Sequence, residues 1–187
     1  MGIVTKTGDL GTTGTLSGER ILKSSSLIEL NGQIDEVNAS LGYLNSMIEA
    51  AEDFPSKTEI IDFVRYIQNG LYNLGTEISS GFTIKRFDES HALLLEEKID
   101  FMTNQMPAQT KFIIFSGVKE STYTHVVRSV SRRCERQFVR FLIEENINPF
   151  PECYKFLNRL SDYLFTLARF LNSELGGEEI ATTPWDM

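Results

Sequence analysis

Cysteine and histidine are almost missing from this chain: two cysteines and two histidines among 187 residues. Cys134 and Cys153 lie inside helix-like apolar patterns, without the spacing of a metal pair or a disulfide framework, and are expected to be reduced, buried and inert. His91 and His125 sit near no serine, cysteine and acid in a pattern that would make a nucleophilic triad, and both read as structural or surface residues. Positive charge is also in deficit. With 18 Lys and Arg against 26 Asp and Glu the net charge is −8, so broad contact with nucleic-acid phosphates or anionic lipid is disfavoured, and an anionic ligand must be met by a local basic cluster. No run approaches the roughly 18 apolar residues of a membrane span, and the N-terminus lacks an apolar h-region; the expected location is the cytoplasm.

Regular helical patterning is what the chain has in abundance. Apolar residues recur at spacings of three and four, the mark of one buried helical face. Ile34, Val37, Leu41, Leu44 and Ile48 predict a first helix; Ile60, Val64, Ile67, Leu71, Leu74 and Ile78 a second, with Pro55 between them and Ser56 as its cap. Leu95, Ile99, Met102 and Met106 predict a third, begun near Asp88 and stopped by Pro107. Residues 111–117, KFIIFSG, read as a short extended stretch or structured loop. A fourth helix is expected from about Ser121 to Glu145, and a fifth through Leu157, Leu160, Leu164, Leu167 and Leu171, ended by Gly176 and Gly177. No sheet is expected. The length suits one core, so the expectation is a single all-α domain, an antiparallel five-helix bundle over residues 25–176, with an arm at 1–24 and a tail at 177–187.

Three places carry polar residues that a plain bundle does not need. On the fourth helix, at about 100° per residue, Arg128, Arg132, Glu135 and Arg136 share one side, either as a solvated face paired through Glu135 or as a binding face. On the fifth, Asn158, Asp162, Phe165 and Arg169 form a second stripe, and two such neighbours would make a groove with spare guanidinium donors for phosphate. The third is MGIVTKTGDLGTTGTL, rich in glycine and threonine and poor in large apolar side chains. It lacks the order of a Walker A loop, yet Lys6, Thr7, Gly8, Asp9, Gly11, Thr12, Thr13 and Gly14 can present successive N–H groups as an anion nest, with Asp9 open to a magnesium-linked contact.

TKTGDLGTT, GQIDEVNASLG, RSVSRRCER and NRLSDYLFTLAR, in that order, resemble the PduO-type ATP:cob(I)alamin adenosyltransferases across residues 5 to 169. The resemblance implies a five-helix bundle assembled as a homotrimer with active sites between subunits. Its reaction moves the 5′-deoxyadenosyl group of ATP to the cobalt of cob(I)alamin, forms adenosylcobalamin and releases triphosphate, with Mg2+ assisting. It implies ATP contacts from Thr5, Lys6, Thr7, Gly8, Thr13, Gly14 and Lys23 on the arm side, and from Arg132, Arg133, Glu135, Arg136 and Asn158 on the helices. Phe112 matches the phenylalanine that displaces cobalamin's lower axial ligand, Asp162 falls on the cobalamin side, and Asp35 and Arg128 match an ion pair that crosses the subunit interface. A general base is not required, because cob(I)alamin is itself a strong nucleophile. A flavin-type reductase is the implied electron source, and an adenosylcobalamin-dependent enzyme a further partner.

Where many relatives have F-x-L-P-G-G, this chain has FIIFSG from Phe112 to Gly117, and Leu27 stands where relatives often carry arginine. Phe115 is therefore a rival to Phe112, and both departures bear on the corrin side of the site rather than on ATP. For Phe112 itself the alternative is a plain core aromatic. An ATP-binding sensor or cobalamin-delivery protein of the same fold, and a purely structural helical oligomer, are the competing functional readings.

Overall fold

The computed structural model describes residues 2–183. Its helices are α1 (Ser26–Ala50), α2 (Lys57–Ser79), α3 (Glu89–Thr103), α4 (Lys119–Glu144) and α5 (Glu152–Leu175), which is the expected set with ends displaced by a few residues. They form an antiparallel bundle in which α1 lies between α2 and α4, and α5 between α4 and α3. The sequence periodicity becomes burial directly: Leu41, Leu44 and Ile48 of α1, Ile67, Leu71 and Leu74 of α2, and Leu157, Leu160, Leu164 and Leu167 of α5 are all at 0% exposure. Burying side chains of this size stabilises the fold by about 1.5–3 kcal/mol each before the entropic cost of ordering them.

Local signals explain several boundaries. Asp88 caps α3, accepting from Ser90 N–H at 3.0 Å, while Asp88 N–H donates to His91 Nδ1 at 3.3 Å. The Ser90 hydroxyl and then the His91 ring, both against Asp88 Oδ1, hold the Asp88 carboxyl below its usual range, and the cap gives His91 a structural task. Gly176 ends α5 in the left-handed conformation at φ 71°. Ser56 stands at the start of α2 as expected but makes no capping bond with its side chain. On α2, Gly70 lets the helix press against α5, since a Cβ there would lie 2.9 Å from the Phe156 ring. Asn38 and Gln68 clasp α1 to α2 through bonds of 3.0 and 3.1 Å.

Two small sheets depart from the all-helical expectation. β1 (Thr12–Gly14) pairs antiparallel with β2 (Arg20–Leu22), so the arm is a hairpin rather than a loose end. β3 (Ile113–Ile114) pairs antiparallel with β4 (Ile180–Ala181), joining the 111–117 stretch to the segment after α5. The extended reading of 111–117 holds at β3; the pairings were not legible, because strands of two or three residues are too short to show alternation and the second pair is joined only by the fold.

Cys134 and Cys153 are free and fully buried. Burial disfavours the thiolate, pushing Cys134 up to about 12 and raising Cys153 as well. Neither thiol should react with a disulfide reagent in the folded protein within hours at neutral pH, while both should titrate in denaturant. Rapid modification of the native chain would show that α4 or α5 opens locally.

Candidate active site

Of the five arginines on α4, only Arg133 has a carboxylate partner among the described residues. Arg132 and Arg136 are exposed and form no ion pair among the described residues. Glu135, which a solvated face would have paired with them, is instead committed to α5: it accepts from Asn158 Nδ2 at 2.6 Å and from Tyr154 Oη at 3.4 Å. Burial and the Glu135 charge raise the Tyr154 pKa. Arg133 is the exception, ion-paired to Glu36 of α1. The amide and carboxylate of neighbouring helices thus brace each other, leaving the guanidiniums beside them available.

A cleft of about 660 Å3 opens between the start of α1 and the outer face of α4, lined by Arg133, Arg136, Arg140, Gln137, Ser24 and Ser26, with Glu29 and Glu144 also on its walls. Arg140 was missed at the sequence level. Its signal was present, because it follows Arg136 by four residues and so extends the same stripe by one turn.

The arm is organised by Arg20, which sequence reading passed over. Its guanidinium donates to Thr7 O at 2.5 Å and to Thr12 O at 3.1 Å, drawing residues 7–12 into a turn. Lys23 closes the same turn: its N–H donates to Gly11 O at 2.9 Å, and its Nζ lies where a Cβ on Gly8 would come within 2.9 Å. Lys6 sits at φ 57° on the rim. Thr5, Lys6 and Thr7 are exposed, as is Gly14 on β1, with Thr13 half-buried beside it. The turn of the hairpin, Thr15 to Glu19, meets the ends of α2 and α4 near Ser79 and Phe141, in a separate hollow of about 390 Å3 where half-buried Leu27 also stands. Arg132 and Asn158 lie further back along α4 and α5. Among the described residues no hydrogen bond or ion pair joins the arm to the Glu135–Asn158 pair of the same chain.

The second cluster surrounds Arg128. Its guanidinium carbon lies 5.0 Å from the Phe115 ring and 5.7 Å from the Phe165 ring, and its Nε is buried without a partner among the described residues. His125, one turn earlier, stacks on Phe115 at 4.2 Å and has an unpartnered Nδ1. Arg128 is thus half-buried among aromatics rather than standing on a solvated face. Asp35 is exposed in a groove between α1 and α2 with Asn31, Asn38 and Tyr72, so the two do not meet within one chain. Phe112 is 83% exposed, which rules out the core alternative for it, and Phe115 is 51% exposed. Asp162 is exposed, and its carboxylate pairs with Arg159 at 3.3 Å. Arg169 is a correction to the stripe read from α5: it turns inward to Glu179, at 2.8 and 3.1 Å, and to Pro107 O at 3.2 Å, a structural post.

Burial, with Arg128 beside it, depresses His125 to about 4. The folded state therefore resists protonation that the unfolded chain accepts near pH 6.5, so this group's contribution to stability is complete above pH 6.5 and is lost as pH falls towards 4. In urea titrations between those values, His125→Phe should lose less stability than the native chain. Parallel slopes would place His125 in contact with water.

Among the described residues no three His, Cys, Asp or Glu side chains come together as an ion cage. The donors present suit an ion held chiefly by phosphate oxygens and water, with at most one protein carboxylate. No described helix is long and apolar enough to cross a membrane.

Residues 3–171 match the family model described as cobalamin adenosyltransferase. The chain is 35% identical to the cobalamin adenosyltransferase of Cupriavidus metallidurans over 179 residues, covering 95% of this chain and 92% of that protein. It is 36% identical to human corrinoid adenosyltransferase MMAB, covering 95% and 71%. Among solved structures, a phenylalanine-to-alanine variant of a PduO-type ATP:corrinoid adenosyltransferase from Lactobacillus reuteri, complexed with cobalamin and ATP, superposes with a TM-score of 0.88 at 30% identity, over 98% of this chain and all of that one. An arginine-to-lysine variant from the same organism, complexed with ATP, gives 0.85 at 33% identity.

Proposed function

The chain belongs to the cobalamin adenosyltransferase family, and from that premise we propose a division of its surface into an ATP side and a corrinoid side. It transfers the 5′-deoxyadenosyl group of ATP to the cobalt of cob(I)alamin, forming adenosylcobalamin and releasing triphosphate. The cobalt lone pair attacks C5′ and the C5′–O bond breaks, so the protein's work is to hold C5′ in line and to stabilise charge on the departing triphosphate.

What carries the assignment is the pair of guanidiniums, Arg132 and Arg136, left without carboxylates beside a Glu135–Asn158 brace. Arg132, Arg136 and the cleft residue Arg140 supply the fixed positive charge, with Arg133 available when Glu36 releases it. Glu135 and Asn158 orient the nucleoside. Thr5, Lys6, Thr7, Gly8, Thr13, Gly14 and Lys23 close over the phosphates from the arm. Mg2+ would enter with ATP, with Asp9 as its single protein carboxylate, and would neutralise part of the triphosphate charge when bound. On the corrinoid side, Phe112 stands clear of the core where it can exclude an axial ligand, and the exposed Asp162 is assigned to the same substrate.

The arm and the Glu135–Asn158 pair are separated within one chain, and Asp35 and Arg128 are on different faces; both separations are removed when the arm of one copy closes on α4 of the next. A homotrimer built around an Asp35–Arg128 interface pair fits both, with electrons supplied by a flavin-type reductase. Incubation with ATP and chemically reduced cobalamin, followed by absorbance, should show conversion to adenosylcobalamin. Nucleotide binding without spectral change would mark a sensor or delivery protein instead. Light scattering should give about three times the 21.2 kDa chain mass.

A further inference from the structure

The loop that presents Phe112 is held from the far end of the chain. Phe112 O accepts from Thr182 N–H at 2.8 Å and from Thr182 Oγ1 at 3.3 Å, extending the β3–β4 pairing by one residue. A few residues on, the buried side chain of Asn172 satisfies both its functions on the same loop: Oδ1 accepts from Val118 N–H at 3.0 Å, and Nδ2 donates to Ser116 O at 3.0 Å. Ser116 Oγ in turn donates to Glu178 O at 3.2 Å.

The amide is enclosed so closely that a Cβ on Gly117 would lie 2.0 Å from Asn172 Oδ1, and one on Gly177 2.3 Å from it. Gly117 is at φ +103°, a conformation that favours glycine in its own right. Arg169, through Glu179 and Pro107 O, ties the start of this return segment to the chain leaving α3. None of this is needed to finish α5, whose end is already closed by Gly176 and by Gly177 N–H on Asn172 O at 2.8 Å. A buried amide that spends its hydrogen bonds on residues 54 and 56 positions away acts as a clamp on that loop.

We propose that Asn172 and the returning strand through Thr182 are positioning elements for Phe112, so that the segment after α5 sets corrinoid binding while leaving ATP binding alone. The inference rests on Phe112 facing the corrinoid. Asn172 touches neither substrate; it acts through the backbone at Ser116 and Val118, and Thr182 through the carbonyl of Phe112 itself.

Thr182→Pro removes the N–H that reaches Phe112 O on an exposed strand, where the bundle core is untouched. Asn172→Ala removes the clamp, and Asn172→Asp keeps the acceptor for Val118 but loses the donor to Ser116. With Phe112→Ala in parallel, KM for the corrinoid and for ATP are measured separately, together with the electron paramagnetic resonance signal of four-coordinate cob(II)alamin in the presence of MgATP. Thr182→Pro and Asn172→Ala should each raise the corrinoid KM roughly fivefold or more, the weight of one lost hydrogen bond, and weaken the four-coordinate signal. Asn172→Asp should fall between, and ATP KM should stay within about twofold throughout. An unchanged corrinoid KM in Thr182→Pro, or equal changes in both KM values, would overturn the proposal; if Asn172→Ala does not fold, Thr182→Pro decides it. When Phe112→Ala alone disturbs the corrinoid, only this inference falls. When Phe112→Ala has no effect on corrinoid KM or signal, the reading of Phe112 falls and takes the inference with it.

Discussion

Arg132→Ala should lower turnover at least roughly tenfold, and Arg136→Ala similarly, because a charged hydrogen bond lost from a shielded site is worth about 1.5–3 kcal/mol. Helical content and thermal midpoint should not move, since neither guanidinium is part of any ion pair among the described residues. Arg65 supplies the control: on α2 it pairs with Glu49 at 2.7 Å and Asp62 at 3.1 Å, an exposed arrangement of the kind worth about 0–1 kcal/mol. Arg65→Ala should therefore leave activity intact. If Arg132→Ala, Arg136→Ala and Arg65→Ala are alike in the adenosylation assay, the α4 stripe is an ordinary solvated face. Arg133→Ala should be intermediate in a different way, because it also frees Glu36 and so alters the α1–α4 contact.

The second large effect is expected at Phe112. Truncating a core phenylalanine costs about 3–5 kcal/mol, but a ring at 83% exposure has little packing to lose, and Phe112→Ala should unfold within about 0.5 kcal/mol of the native chain. The functional loss should nevertheless be severe, and largest when cob(II)alamin must be reduced on the protein, because an aromatic wall that excludes the axial ligand matters most in that state. ATP affinity should be preserved. Phe115 gives the counter-test: it packs on His125 at 4.2 Å and beneath Arg128 at 5.0 Å. Its truncation should disturb Arg128 and with it the proposed Asp35–Arg128 interface pair, so, if the trimer is built on that pair, Phe115→Ala weakens subunit association more than the four-coordinate signal. Loss of that signal in Phe115→Ala, with Phe112→Ala unaffected, would transfer the role.

The helices were legible residue by residue. A period near 3.6 converts an apolar spacing into a buried stripe with no further information, so Leu41, Leu71 and Leu164 could be placed in the core from the sequence, and Asp88 and Gly176 could be placed at ends because capping is local. The strand pairings, and the partners of individual arginines, were not legible. Arg128, Arg132 and Arg136 share one side of a helical wheel and Arg133 follows Arg132 directly, yet one lies between aromatic rings, one is paired to α1, and two form no ion pair among the described residues.

By itself the sequence determined the bundle, the burial of its two cysteines and, through four separated motifs, the family. Each of these follows from local pattern or residue type. Only the tertiary structure decided that Glu135 belongs to Asn158 and not to its neighbouring arginines, that Arg169 is a structural post, that Phe112 stands outside the core, and that the chain after α5 returns to hold it. The reason is one of range: periodicity reports which way a side chain points from its own helix, whereas a hydrogen bond between Asn172 and Val118 depends on how two elements 54 residues apart are packed.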